Sequence, residues 1–117
     1  MIPAAVFEST LRGFLDPILS LLDDPRVTEL MINGASEVFV ERAGQITKTE
    51  AQFASGDALL SALRVVAQYV GRPFDAAHPI LEARLPDGSR LEALLPPIAP
   101  DGPAVDSAFF ERPTDDR

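Results

Sequence analysis

The chain has 117 residues, of which 46% are hydrophobic and 24% are charged, and its formal net charge at pH 7 is −8. That length suits a single domain with one hydrophobic core. Nucleic acid and anionic lipid both bind basic surfaces, so the acidic balance argues against nonspecific binding to either. The chain contains no cysteine, which excludes disulfides, zinc thiolate sites and thiol nucleophiles.

The first 24 residues are predicted to form an amphipathic helical segment rather than a targeting or membrane-spanning one. The charged residues Glu8, Arg12 and Asp16 interrupt the apolar stretch, and no basic residue precedes it. We therefore expect a cytoplasmic protein. Apolar residues recur at helical spacing and define the face that should be buried: Phe7, Leu11, Phe14, Leu15, Ile18 and Leu22.

Pro17 divides this segment, because proline lacks an amide hydrogen and clashes with the preceding helical turn. Asp16 is the expected N-cap of a second short helix over residues 17–22. The sequence Asp23-Asp24-Pro25 then ends that helix. We therefore place the end of the helical segment at residue 24.

Three short strands should follow. The stretch VTELMIN, residues 27–33, is rich in residues favoured in strands and ends in Asn33-Gly34, a strong hairpin signal. SEVFVER, residues 36–42, is the returning strand, and QITKT, residues 45–49, forms a third strand after a turn at Ala43-Gly44. Because hairpins pair neighbouring strands in opposite directions, these segments predict an antiparallel meander.

A longer amphipathic helix is predicted over residues 56–70. Ser55 can cap its N-terminus, and Gly71 suits a left-handed C-terminal stop. Four apolar residues, spaced four, three and four apart, share the face that should be buried: Leu59, Leu63, Val66 and Val70.

A second hairpin is predicted around Pro86-Asp87-Gly88, a type I turn with glycine in the left-handed position. This turn joins ILEARL, residues 80–85, to SRLEALL, residues 89–95. Leu85 should face Ser89. One face of the hairpin is then apolar and is expected to be buried: Leu81, Ala83, Leu91 and Ala93.

The other face of this hairpin carries four charges. The register places Arg84 opposite Arg90 and Glu82 opposite Glu92. Like charges that lie directly opposite each other are unfavourable, so we expect the diagonal pairs Arg84 to Glu92 and Glu82 to Arg90 to compensate. The spacing alone allows two interpretations of Arg90: a member of a solvated charge ladder, or an arginine held out to meet an anion.

The elements together predict an α+β fold, with an antiparallel sheet of five or six strands, helices on one face and an N-terminal helical extension. From residue 96 the sequence is rich in proline and acid. Val105, Ser107 and Phe109 could still supply an edge strand, with Phe109 or Phe110 covering the core. The expected division is a helical segment at 1–24, a domain at 25–110 and a flexible acidic tail at 111–117.

No catalytic or metal-binding constellation is expected. GQITKT lacks the G-x-x-x-x-G-K-[ST] pattern of a phosphate loop, and its Lys48 should lie on a solvated strand face. His78, with Asp75 nearby, is the only histidine and is expected to be structural or exposed. There is no G-x-S-x-G elbow, and the Asp23-Asp24 pair is interpreted as a turn.

Two stretches resemble the N-terminal domain of the type II/IV secretion system ATPases, most closely the tight-adherence pilus assembly branch. They are LLDDPRVTELMINGASEVFVERAGQI, residues 21–46, and VGRPFDAAHPILEARLPDGSRLEALLPPIAPDGPA, residues 70–104. The resemblance rests on T-E-L-M-I-N-G, on V-F-V-E-R before a glycine, and on L-P-D-G-S-R and P-P followed by D-G-P.

The resemblance implies a PAS-like domain that precedes a RecA-like motor domain, with six copies in a ring. The motor carries the phosphate loop, and nucleotide binds between the two domains, where arginines of the N-terminal domain approach the phosphates. Arg90 stands in the D-G-S-R motif and so inherits a phosphate-proximal role, with ATP and Mg²⁺ expected only in the full-length family. Arg72, in the recurring Gly71-Arg72 stretch, is interpreted as structural or interfacial.

Two departures from the family shape the functional expectation. Asp106, after Gly102-Pro103, stands where the family carries a second phosphate-contacting arginine, and we expect the chain to lack the motor domain. The resemblance then implies a non-catalytic assembly module, not an enzyme, that neither hydrolyses ATP nor binds it tightly by itself. Its expected partners are secretion or pilus-assembly ATPase subunits or inner-membrane machinery, without nucleic acid or membrane insertion, and homo-oligomerisation stays open.

Two alternative functions, a sensory module and a small hydrolase, have less support in the sequence. A free-standing PAS-like sensory module would enclose a small ligand in a pocket of several hundred Å³ beneath a covering helix. The candidate interior residues are plain aliphatics without a convergent polar group, which gives that alternative little support. A small hydrolase lacks a credible set of catalytic residues.

Overall fold

The computed structural model describes residues 3–86, 88–95 and 107–112. Within these residues, six strands form one antiparallel sheet in the order β3-β2-β1-β6-β5-β4. The α+β class and the antiparallel sheet are therefore confirmed. The strands are β1 Val27–Asn33, β2 Glu37–Arg42, β3 Gln45–Lys48, β4 Ile80–Arg84, β5 Arg90–Leu94 and β6 Ser107–Glu111. The α-helices are α1 Ala4–Phe14, α2 Leu19–Leu22 and α3 Gly56–Val70, and a 3-10 turn, Asp16–Ile18, precedes α2.

The N-terminal segment breaks where Pro17 predicts, but its details differ. Asp16 makes no capping hydrogen bond and lies inside the 3-10 turn, so the predicted N-cap is wrong and α2 begins only at Leu19. Phe14 is 43% exposed, although its spacing predicted burial. Because α1 ends at Phe14 and the 3-10 turn redirects the chain, Phe14 leaves the inward face, whereas Leu15 and Ile18 are buried as predicted.

Helix α3 matches its prediction. The Ser55 hydroxyl accepts a hydrogen bond from the Ala58 amide at 3.1 Å, and Gly71 ends the helix in the left-handed conformation with φ 71°. Three of the four residues predicted to face inward, Leu59, Leu63 and Val66, are buried, and Val70 is half-buried. The predicted inward face of α3 therefore packs against the sheet.

The N-terminal helices pack into the same core as the sheet. The Phe7 ring of α1 stacks on the Tyr69 ring of α3, with centroids 3.9 Å apart and planes inclined by 13°. Phe7, Leu11, Leu15 and Ile18 belong to one apolar cluster with the inward residues of the strands. Burial of this apolar surface is the main favourable contribution to folding.

The hairpin between β4 and β5 has the predicted register. Arg84 pairs with Arg90 and Glu82 with Glu92, and the Leu85 amide donates to the Ser89 carbonyl at 2.8 Å. Gly88 has φ 91°, in the positive region that favours glycine. Asp87, at the centre of the predicted turn, lies outside the described residues.

Strand β6 occupies the centre of the sheet, so the prediction of an edge strand is wrong. It pairs with β1 on one side and β5 on the other, and it joins the meander to the second hairpin. Without β6, the β1 and β5 strands would each leave a row of unpaired backbone groups. Phe110 is 4% exposed and covers the core, as predicted for one of the two phenylalanines, whereas Phe109 points to the opposite face.

The predicted tail overlaps with this strand. Glu111 belongs to β6, and the Arg112 side chain bonds to three backbone carbonyls. The rest of the predicted tail, residues 113–117, lies outside the described residues, as does Val105.

The two faces of the sheet differ in burial. The helices cover the face that carries the inward residues of β1, β2, β4, β5 and β6. The other face, called the open face below, carries the alternate residues of every strand, and no described helix covers it. An antiparallel sheet commonly buries one face and leaves the other to solvent.

Candidate functional site

Arg90 is the site residue that the sequence predicts, and it begins β5 immediately after the hairpin turn. Burial alternates along β5, which places Arg90 and Glu92 on the open face while Leu91 and Ala93 are buried. The register sets Arg90 opposite Arg84 on one neighbouring strand and opposite Glu111 on the other. The side chain is 43% exposed, so solvent and ligands can reach the guanidinium.

Two carboxylates already hold this guanidinium. Arg90 Nη1 donates to Glu92 Oε2 at 3.0 Å, and Arg90 Nε donates to Glu111 Oε1 at 3.2 Å, with Nη2 3.1 Å from the same oxygen. The guanidinium carbon also lies 5.9 Å from the centre of the Phe109 ring, within the range of a cation–π contact. The arginine is therefore neutralised within the fold.

The diagonal pairs predicted for this hairpin are wrong. Arg84 Nη1 donates to the Gly88 carbonyl at 3.0 Å and not to Glu92. Arg90 donates to Glu92 and Glu111 and not to Glu82. The reason is β6, which places Glu111 directly opposite Arg90 and offers a closer carboxylate than the diagonal one.

These contacts limit what Arg90 can bind alone. An anion competes with two carboxylates for the guanidinium, and a single surface ion pair contributes only about 0–1 kcal/mol. Micromolar affinity requires about 8 kcal/mol. Arg90 can therefore contribute one contact to a phosphate held mainly by other groups, but it does not by itself make a nucleotide site.

A row of three carboxylates lies beside Arg90 on the open face. Glu29 of β1 pairs in register with Glu41 of β2 and with Glu111 of β6. Burial raises the pKa of Glu29, and the charges of Glu41 and Glu111 raise it further, while Arg90 acts in the opposite direction. The local sequence pattern does not predict this row, because the row depends on the pairing of β1 with the distant strand β6.

The other polar residues weighed in the sequence have structural partners or face solvent. Lys48 is exposed, with its Nζ 3.9 Å from Glu37 Oε2, as predicted for a solvated strand. His78 is exposed as well, and its Nδ1 lies 3.0 Å from Asp75 Oδ1. Arg72 is exposed, and its backbone amide donates to the Ala67 carbonyl at the end of α3.

The Asp23-Asp24 pair lies at a turn, as predicted, and arginines hold both carboxylates. Arg12 forms a bidentate pair with Asp23, and its hydrogen bonds lower the pKa of that carboxyl. Arg26 and Arg42 both bond to Asp24, and the hydrogen bonds from Arg26 contribute most to the lowering of the pKa of Asp24.

Arg112 is a structural residue that the sequence analysis placed in the tail. Its Nη2 donates to the Leu22 carbonyl at 2.6 Å and to the Asp24 carbonyl at 2.9 Å, and its Nε donates to the Val27 carbonyl at 2.8 Å. The side chain thus ties the end of β6 to the connection between α2 and β1. Nothing in the sequence around Arg112, which follows Phe109-Phe110-Glu111, indicates this role.

A pocket of about 110 Å³ lies between α1, α2, the second hairpin and the end of β6. Its lining is mixed, with apolar residues such as Phe7, Leu11 and Phe110 beside charged residues such as Arg12 and Arg112. Sites for drug-sized ligands measure about 300–1,000 Å³. The pocket is therefore smaller than the sensory alternative requires.

Within residues 3–86, 88–95 and 107–112, no helix is both long enough and apolar enough to cross a membrane.

Comparison with known proteins gives the same family as the motifs. The family model described as "Type II/IV secretion system protein" matches residues 14–100. Protein VirB11 of Agrobacterium fabrum (strain C58) is 41% identical over 97 residues, which cover 79% of this chain and 26% of that protein. The type IV secretion system protein VirB11 of Brucella suis biovar 1 is 33% identical over 88 residues, covering 75% and 24%.

Solved structures agree. The crystal structure of the VirB11 ATPase from the Brucella suis type IV secretion system, in complex with sulphate, superimposes with a TM-score of 0.80 at 30% identity and covers 92% of this chain and 32% of that one. The Legionella pneumophila ATPase DotB shares the fold, with a TM-score of 0.54 at 13% identity, covering 86% and 28%.

The chain belongs to the type II/IV secretion system protein family, as the matched span and the relatives show. It corresponds to the N-terminal region of VirB11-type secretion ATPases. The chain spans about a quarter of the length of the curated relatives that it matches.

Proposed function

We propose that this chain acts as a non-catalytic N-terminal domain of a secretion or pilus-assembly ATPase, in ring assembly or in coupling to the motor. The observation that carries the proposal is the likeness of 92% of the chain to about a third of the Brucella suis VirB11 ATPase, at a TM-score of 0.80. A fold kept over that span supports the assignment of the chain to the corresponding domain.

Arg90 has a conditional role in this proposal. Its guanidinium is exposed enough to meet a phosphate but is held by Glu92 and Glu111. It would approach ATP only when a motor domain supplies the phosphate loop and Mg²⁺, and the chain alone would neither hydrolyse nor tightly bind ATP. The expected partners are ATPase subunits or inner-membrane components on the cytoplasmic side. Membership of the tight-adherence branch stays a prediction from the motifs, since the relatives named above are VirB11 proteins.

A chimera tests the proposal. The 117-residue chain is joined to the part of the Brucella suis VirB11 ATPase that lies beyond the matched region, and particle mass and ATP hydrolysis are measured. We expect a ring-sized particle that hydrolyses ATP, because the domain supplies the assembly surface and the relative supplies the motor.

Two variants of the chimera separate assembly from nucleotide contact. Arg90→Ala should lower ATP turnover and leave the particle mass unchanged, and Arg84→Ala, which removes the neighbouring arginine of the same face, should leave both unchanged. A monomeric chimera would contradict the assembly role. Equal turnover in the parent and the Arg90→Ala chimera would contradict the role of Arg90.

A further inference from the structure

The open face carries an apolar row across its three central strands. Met31 of β1 pairs in register with Phe39 of β2 on one side and with Phe109 of β6 on the other. All three side chains are half-buried by their neighbours, although none of the described helices covers this face. These residues, Phe39, Met31 and Phe109, are called the apolar row below.

A parallel row of carboxylates runs beside the apolar row on the same three strands. Glu41, Glu29 and Glu111 lie next to one another in register, and they are called the carboxylate row below. Thr28 donates to Glu41 at 3.0 Å, and Arg90 is bonded to Glu111. In the described part of the chain Glu29 has no hydrogen-bond or ion-pair partner, and burial and like charge raise its pKa.

Like charges directly opposite one another destabilise a sheet. The carboxylate row therefore lowers the stability of the fold. Its net negative charge also limits which partners can bind to the open face. Anionic lipid and nucleic acid are repelled. On the open face of a second copy, Lys48 is paired with Glu37 and Arg90 with Glu92 and Glu111. Among the described residues of that face this leaves only Arg84, which donates to the Gly88 carbonyl, as a cation outside an ion pair, so a copy offers one such cation against three carboxylates.

The spacing of the two rows matches a helix. Three neighbouring strands span about 9.6 Å between the outer two. An α-helix advances about 10.5 Å over seven residues, so apolar side chains at i, i+3 or i+4 and i+7 repeat at the same interval. Basic residues beside that stripe would repeat at the spacing of the carboxylates.

We propose that the open face docks a basic amphipathic helix of another protein, with its apolar stripe on the apolar row and its lysines or arginines against the carboxylate row. The open face would then be the surface through which this domain contacts a partner during assembly. The biological meaning of this docking rests on the proposed assembly role. Its binding test requires neither nucleotide nor a ring, so failure of the docking surface and failure of the assembly role are distinguishable.

The test uses the whole 117-residue protein and a synthetic 14-residue helical peptide with leucines along one stripe and lysines flanking it. A peptide of the same composition with the two residue types intermixed controls for nonspecific attraction to an acidic protein. Backbone amide NMR shifts are followed during titration. We expect saturable shifts centred on Met31, Phe39 and Phe109 with the striped peptide and weaker, dispersed shifts with the intermixed one.

Two charge-matched double variants complete the test. Glu29→Gln with Glu41→Gln should weaken binding of the striped peptide by about fivefold or more, since each exposed ion pair contributes up to about 1 kcal/mol. Glu50→Gln with Asp57→Asn removes the same charge from exposed positions away from the open face and should leave affinity unchanged. The first pair relieves like-charge repulsion, so loss of binding would not reflect unfolding.

Four outcomes would overturn the proposal. They are absence of saturable binding, shifts centred on α3 or spread evenly over the surface, equal weakening by both variant pairs, and closure of the open face by a second copy. The last would appear as a dimer at the protein concentration used, one that Met31→Asp dissociates.

Discussion

Glu111 lies directly opposite Arg90 on the neighbouring strand, with its Oε1 atom 3.2 Å from Arg90 Nε and 3.1 Å from Nη2. The contact joins a residue from the family motif to one from the divergent end of the chain. It gives an exposed arginine a carboxylate partner from a neighbouring strand of the same fold. Glu92, on the same strand as Arg90, completes the neutralisation.

Removing the two carboxylates should free Arg90 for an anion. In Glu92→Gln with Glu111→Gln, inorganic phosphate no longer competes with two ion pairs, each worth about 0–1 kcal/mol. We expect up to roughly thirtyfold tighter phosphate binding than in the wild type, measured from the NMR shift of the Arg90 Nε–H group during titration. The same titration of Glu37→Gln with Glu50→Gln, in which Arg90 keeps its partners, should resemble the wild type. An unchanged response in the first variant would show that the carboxylates do not restrain Arg90.

Strand β6 should be essential to the fold, and its two phenylalanines make a matched pair. Phe110→Ala opens a cavity in the core and should reduce the free energy of unfolding by about 3–5 kcal/mol. Phe109→Ala removes a half-exposed ring on the open face and should cost roughly 1 kcal/mol. Urea unfolding of both variants measures the difference. Equal effects would mean that β6 does not occupy the centre of the sheet.

Glu29→Gln should stabilise the protein at neutral pH. The pKa of Glu29 is raised in the folded state above its ordinary value of 4.5, so the folded protein binds more protons than the unfolded chain within that window. Stability therefore falls as pH rises through the window. The neutral amide avoids the like-charge pairs with Glu41 and Glu111, and the expected gain is roughly 0.2–1 kcal/mol at pH 7.

The advantage of Glu29→Gln should disappear as pH falls below about 4.5, where the carboxyl is protonated in both states. Urea unfolding of wild type and variant at several pH values measures this, and Glu50→Gln, on an exposed loop residue without like-charge neighbours in register, is the control. A variant less stable than the wild type at pH 7 would show that Glu29 makes a favourable contact instead.

Arg112 should anchor the end of β6. Arg112→Ala leaves the carbonyls of Leu22, Asp24 and Val27 without their donor and should lower the free energy of unfolding by about 2–3 kcal/mol. Arg112→Lys should recover only part of that loss, because an ammonium group cannot reproduce the planar arrangement of donors. Arg72→Ala, at an exposed arginine, should change the urea midpoint little. Comparable urea midpoints for Arg112→Ala and Arg72→Ala would show that Arg112 does not stabilise the fold.

Local signals predicted the elements of this fold well. Asn33-Gly34, the Ser55 cap and Gly71 each act within a few residues, and the strand and helix bounds that they mark agree with the structure to within a residue or two. The register of the second hairpin was also predictable, because a short turn fixes it. The position of Arg90 on the uncovered face followed from that register.

The errors arose where distant segments meet. Nothing near Phe109 shows that β6 inserts between β1 and β5, since the preceding proline-rich stretch resembles the start of a tail. The placement of Glu111 against Arg90, the carboxylate row and the anchoring of Arg112 all depend on that insertion. The exposure of Phe14 has a local cause, because the 3-10 turn that begins at Asp16 interrupts the helical repeat just after α1 ends.

We expect that this domain, in which Glu92 and Glu111 hold Arg90, makes no nucleotide site by itself. Isothermal titration of the purified 117-residue protein with ATP and Mg²⁺ tests it most directly. We expect no saturable heat in the micromolar range, and the same flat titration for Arg90→Ala. Saturable micromolar binding by the wild type that Arg90→Ala abolishes would contradict it.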